Sequence, residues 1–231
     1  MKKAIIIIAL FISATTVSFA QAVYEIRQAM DFYQTNKMLQ REWNNTLTEK
    51  DIDGSPYLTD DFVTGVVYTT TKQKYVDLPL RYNIYNDQME FKTAQGEIQA
   101  MAVPEIVEFV EYGDFKMVYT PFSISKKVRH GFFKVETEGK ASLYSRSEVE
   151  FRKAEEPGAY KEAVPPKFIR KPDTYYIKVG TAQAIKVGNK KDLIELFPDH
   201  KDEISSYIKK NKIKAGKLES LDELVTYYNS L

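Results

Sequence analysis

The side chains able to do chemistry in this chain are few and scattered. There are two histidines, His130 and His200, and no cysteine. Neither histidine has a second ligand at the i, i+4 spacing that places two imidazoles on one helix face, and neither has a partner positioned to make it a general base. The absence of cysteine excludes thiol nucleophiles, thiolate metal sites and redox motifs. Ser123-x-x-Lys126 and Ser206-x-x-Lys209 have the spacing of a serine–lysine pair, but the companion motifs S-D-N and K-T-G do not occur, nor does the nucleophile elbow G-x-S-x-G. Asp51, Asp53, Asp60 and Asp61 gather enough carboxylate for a hard cation, yet not in EF-hand spacing. Beside Gly54 and Pro56 they read as turn residues. Lys209, Lys210, Lys212, Lys214 and Lys217 suit the carbonyl end of a helix, with attraction to phosphate head groups as the sharper alternative. No catalytic residue, cofactor or metal site is therefore assigned.

The first twenty residues are more informative. Lys2 and Lys3 precede an apolar run from Ala4 to Ile12, and Ser18 and Ala20 bracket a cut before Gln21. A charged start, a short apolar core and a small-x-small exit describe a secretory signal peptide. The run is too short for a spanning helix. Removing twenty residues from 231 leaves 211, and basic residues fall from 33 to 31 against 32 acidic. That near-neutral balance argues against nucleic acid as a partner. The expected compartment is the periplasm, with the outer surface or the medium second, and with no cysteine the exported chain must rely on its packed core.

Five regions follow: the signal at 1–20, a helical and irregular segment at 21–60, an antiparallel meander at 61–153, a proline-rich extended connection at 154–173, and short strands with helices at 174–231. In the first of these after the signal, Tyr24, Ile26, Met30 and Tyr33 fall loosely at helical spacing, as do Met38, Leu39 and Trp43. The meander rests on a period of two: Val76, Leu78, Leu80, Tyr82 and Ile84 alternate with Asp77, Pro79, Arg81, Asn83 and Tyr85. Two-residue loops are expected at Lys72-Gln73 (Val67 opposite Leu78, Thr69 opposite Val76), at Asn86-Asp87 (Ile84 opposite Met89, Tyr82 opposite Phe91), at Gln95-Gly96 (Phe91 opposite Ala100, Thr93 opposite Ile98) and at Gly113-Asp114 (Val110 opposite Met117, Glu111 opposite Lys116). A three-residue loop around Gly139 sets Val135 against Leu143. His130, beside Gly131, is expected at a turn. Pro79 and Pro104 must lie where no ladder donor is needed.

Near the C-terminus, strands are expected at 174–179 and 182–187. Asn189 should cap a helix ended by Pro198, Asp199 a second, and Ser220-Leu-Asp-Glu223 should open a third as a capping box. The expected fold class is α+β: an antiparallel meander curled into an open barrel or sandwich, with flanking helices. An outer-membrane barrel fits less well with so helical an end.

The segments Pro79–Phe91 and Leu224–Leu231 resemble a group of exported proteins of Gram-negative bacteria for which no activity is known. The resemblance implies export and a shared fold, and carries over no site.

Aromatic and apolar residues on the strands form one candidate face: Leu80, Tyr82, Ile84, Met89, Phe91, Phe115, Met117 and Tyr119. Such a face is either a filled core or the lining of a ligand cavity. The function expected is a non-enzymatic envelope protein binding a lipid, another apolar ligand or a protein partner. An accessory subunit of an envelope complex is the alternative, and a hydrolase of envelope polymers a further one.

Overall fold

A computed structural model describes residues 52–125, 127–155 and 164–231. The stretch read as a signal peptide and the helical spacing read over 24–43 lie outside the described residues, as do Asp51 and Lys126. The strands are β1 (Val63–Thr69), β2 (Lys74–Asn83), β3 (Gln88–Lys92), β4 (Ile98–Ala100), β5 (Val107–Tyr112), β6 (Phe115–Ile124), β7 (Lys127–Thr137), β8 (Ala141–Arg152), β9 (Lys167–Val179) and β10 (Ala184–Lys186). The helices are α1 (Lys190–Glu195), α2 (Lys201–Lys210) and α3 (Leu218–Ser230). The protein is thus β-rich, with its described helices following the last strand.

Strand order is β10-β9-β8-β7-β6-β5-β1-β2-β3-β4, with a further parallel pairing of β10 to β6. That pairing joins Ala184 to Phe122 and Ile185 to Ser123, and it closes β6 to β10 into a five-stranded barrel. The expectation of an open meander is therefore corrected. Most neighbours in sequence do pair as in a meander, but a three-residue strand closes one end of the sheet onto β6 and leaves β4 as the edge at the other. Pairing between strands so far apart in the chain has no local signature in the sequence.

Strand alternation divides the apolar residues among three cores. One residue from each barrel strand, namely Phe122, Phe133, Tyr144, Tyr176 and Ala184, fills the barrel interior. The rings meet edge to face, with Phe133 and Tyr176 centroids 4.9 Å apart and Phe122 and Phe133 5.2 Å apart, a geometry that aromatic quadrupoles favour. Leu143 and Ile177, each one residue from an interior tyrosine, point outward under the helices with Leu193, Phe197, Ile204, Leu221, Leu224 and Val225. The third core lies where β1–β3 fold back over β5–β7.

Asn189 caps α1, accepting from the amides of Lys191 and Asp192 while Asp192 returns the bond to the Asn189 amide. The second cap differs from expectation: α2 is preceded by His200, which makes no side-chain cap, and Asp199 instead accepts a hydrogen bond from the Tyr228 hydroxyl at 3.0 Å. The last helix starts earlier, at Leu218, so Ser220 is inside it and Glu223 accepts from the Tyr207 hydroxyl.

The hairpins test register. Gly113-Asp114 pairs Val110 with Met117 and Glu111 with Lys116, as read, and Gly113 takes the positive φ of 58° that such a loop requires. At Asn86-Asp87 the loop is four residues, Ile84 to Asp87, so Tyr82 opposes Met89 and Leu80 opposes Phe91. This two-residue slip leaves every side chain on the face expected for it. At Gln95-Gly96 the slip is one: Phe91 opposes Gln99 and Glu90 opposes Ala100. At Lys72-Gln73 a bulge sets Val67 against Tyr75 and Gly65 against Leu78, and Asp77 takes a φ of 54°. The bulge breaks the alternation, which is why Val76 is exposed. Val135 opposes Tyr144 rather than Leu143, because Thr137 is the residue that faces Leu143 across a longer loop, and a bulge between Val135 and Thr137 takes back one residue of the slip.

Two further expectations are corrected. Residues 167–173, read as part of an extended connection, belong to β9, and Pro172 sits where the β8–β9 register shifts. His130 lies within β7, opposite Pro121, rather than at a turn. Pro79 pairs only with Thr64 of β1, beyond the end of the β3 ladder, and Pro104 opens a short 3-10 turn. Both positions spare the missing donor.

Candidate functional site

The structure brings all eight residues of the candidate face into one cluster, together with Val67, Val110, Tyr112 and Phe132. Leu80 and Met89 are 0% exposed and Met117 2%. Tyr82 and Ile84 are buried, while Phe91, Phe115 and Tyr119 pack against them from the margin. The face is a packed core. Tyr82 contacts Phe132 edge to face with centroids 5.7 Å apart, and Tyr119 meets the same ring at 5.0 Å.

Polar anchoring holds this core to the barrel. Asp87 stands at the centre: its Oδ1 accepts from the Tyr82 hydroxyl at 2.7 Å and from the Phe132 amide at 3.1 Å, and its Oδ2 pairs with Arg146 at 2.8 Å. Burial, then the Asp87 charge, then the hydrogen bond to Asp87 raise the Tyr82 phenol well above its ordinary pKa. The Arg146 guanidinium lies over Phe122 and Phe133, closing the barrel interior with a cation against two ring faces.

What remains open beside the face is a cleft of about 200 Å³. Tyr82, Phe115, Met117 and Phe132 form its floor, while Lys134, Ser145, Ser147, Arg170 and Asp173 form its polar wall. The wall is satisfied internally: Ser145 donates to Glu136 at 2.6 Å, Lys134 reaches the same carboxylate at 3.1 Å, and Ser147 donates to Asp173 at 2.8 Å while accepting from Arg170. Ser145 and Lys134 are cross-strand partners. Both, however, are engaged with Glu136, and β8 is paired on both sides at Ser145, so its amides serve the sheet rather than an oxyanion.

A larger concavity lies on the C-terminal helices, a trough of about 670 Å³ open to solvent. Tyr207 of α2 and Tyr227 of α3 stack at its base, ring centroids 3.9 Å apart and planes 11° from parallel. Glu136, Glu219, Asp222 and Glu223 supply its charge, and no lysine or arginine lines it. The Thr137 hydroxyl bonds Asp222, and the Tyr207 hydroxyl bonds Glu223 at 3.1 Å. Partial burial first, then the bond to Glu223, raises the Tyr207 phenol above its ordinary range. Sequence reasoning missed this trough, though a signal was present: Glu219, Asp222, Glu223 and Thr226 recur at helical spacing along one stripe of α3.

The other sequence candidates stay apart. The five lysines from Lys209 to Lys217 are exposed, the first two in the last turn of α2. Among the described residues, no three acidic or histidine side chains gather around a common metal position, and no helix is long and apolar enough to cross a membrane. No family model matches the chain, and neither the curated proteins nor the solved structures contain a match.

Proposed function

We propose that this chain is an exported, non-enzymatic envelope protein that binds a protein partner, and that the trough on α2 and α3 is where the partner docks. The observation that carries the reading is the packing of the eight-residue face. A carrier of lipid needs an enclosed apolar chamber, and ligand pockets commonly run to about 300–1,000 Å³. Here the apolar residues fill their own space and leave about 200 Å³ beside a polar wall. The larger concavity is open, polar at its rim and aromatic at its base, which suits a protein surface better than a lipid tail. The same engagement of Ser145 and Lys134 by Glu136 favours binding over hydrolysis.

Site-specific photocrosslinking in cells tests this. A photoreactive amino acid at Thr226, inside the trough, is expected to trap a discrete adduct that the same label at exposed Gln95 does not. Only monomer from Thr226, or equal yields from both positions, would overturn the assignment.

A further inference from the structure

We infer that the trough along α3 receives a lysine- or arginine-bearing segment of the partner protein, an inference that rests on the docking role proposed above. Its first support is the segregation of charge. The chain as a whole is nearly neutral, with 33 basic and 32 acidic residues, yet every charged side chain lining the trough is a carboxylate. Among the described residues, Glu136 is paired with Lys134, whereas Glu219, Asp222 and Glu223 form no ion pair. The concavity thus carries negative charge without a counter-cation for these three acids among the described residues, which complements a cationic side chain entering it.

Two of these carboxylates are already held in place. Asp222 is bonded by Thr137 and Glu223 by Tyr207, so less side-chain freedom is lost when a cation arrives. The base adds a second kind of recognition. Tyr207 and Tyr227 also line the trough, stacked on each other, and a ring face left outside the stack would accept an ammonium or guanidinium group. Leu218 gives the methylene stem of such a side chain an apolar wall to lie against. The trough is open to solvent rather than closed around a guest. An open concavity of this size leaves room for a basic side chain to reach the exposed acids of the helix.

The test uses the full chain, isotopically labelled, and an acetylated, amidated oligolysine peptide as the probe. Amide shifts are expected across residues 218–230, and an oligoglutamate control should leave them unmoved. The pair Glu219→Gln with Glu223→Gln should weaken binding about tenfold, and Glu219→Lys with Glu223→Lys more than that, as expected for loss of two exposed charge contacts. Both positions are exposed on the helix, and a thermal melt confirms that each variant folds. Equal affinity for the charge-reversed variant, shifts confined to another surface, or equally tight binding of spermidine would overturn the inference. If oligolysine fails while the label at Thr226 still traps a partner, the basic-segment inference falls and the docking role stands. If oligolysine binds but no partner is trapped, the cation-binding trough stands and the docking role falls.

Discussion

Arg146 and Asp87 meet 2.8 Å apart directly above Gly131, at a point where no side chain but hydrogen could pass beneath them. A Cβ at Gly131 would lie 2.4 Å from Arg146 Nη1 and 2.5 Å from Asp87 Oδ2. The pair joins the folded-back β2–β3 hairpin to the barrel, and its side chains are only 16% and 22% exposed. Breaking such a pair strands a charge in a poorly solvated place. Asp87→Ala should therefore cost about 3 kcal/mol. Gly131→Ala should destabilise through the same contact, so the two substitutions combined should cost clearly less than their sum. Urea unfolding of the two single variants and the double variant measures this, and full additivity would separate Gly131 from the pair.

The barrel interior makes a separate demand. Phe133 is 0% exposed and touches Phe122, Tyr144 and Tyr176. Phe133→Ala should cost about 3–5 kcal/mol, because rings fixed by closed strands cannot collapse into the space left behind. A loss below about 1 kcal/mol would mean that the barrel is loosely packed.

Alkaline pH should weaken the fold through Tyr82. In the unfolded chain a tyrosine ionises near pH 10, whereas Tyr82 in the fold holds its proton well above that, chiefly through burial and the neighbouring Asp87 charge. Above about pH 10 the unfolded state thus binds fewer protons than the folded state, and stability falls as pH rises. The contribution is complete below about pH 10 and is lost as pH rises through the folded pKa. Tyr119, Tyr144 and Tyr176 shift in the same direction. Denaturation midpoints across that range should therefore decline for the wild type and less steeply for Tyr82→Phe.

How far the sequence revealed this structure depended on distance along the chain. The Gly113-Asp114 hairpin was legible to the residue because a tight loop leaves one register open. The Asn86-Asp87 turn was misread by two residues, since Asp87 N–H closes onto the Ile84 carbonyl and lengthens the loop. Two is the strand period, so Tyr82 and Phe91 still share a face. What could not be read were links between distant residues: the β10–β6 closure, the Asp87–Arg146 pair, and the stacking of Tyr207 on Tyr227 that floors the trough. The candidate face was legible as a set of eight residues. Whether it was filled or hollow was not, because that depends on how β1–β3 fold back over the barrel.

Besides its apolar face, the last helix is tied to β8 by one side-chain amide. Asn229 Oδ1 accepts from the Ala141 amide at 2.8 Å, and its Nδ2 donates to the Ala141 carbonyl at 2.9 Å, so the side chain acts as a short extra strand beside β8. Asn229→Ala should cost about 1–3 kcal/mol. Hydrogen exchange should locate the loss at residues 218–231, and uniform acceleration across the barrel would contradict the local role. Gly139→Ala should mimic the loss, because its Cβ would fall 2.4 Å from the Asn229 amide nitrogen.

Native mass spectrometry of the protein, purified without detergent from the cells that make it, bears most directly on the account. A face packed by its own side chains predicts the mass of the bare polypeptide, with no lipid extracted by solvent. A stoichiometric lipid or other apolar adduct, released only on unfolding, would contradict it and return Tyr82, Met89 and Met117 to the lining of a ligand cavity.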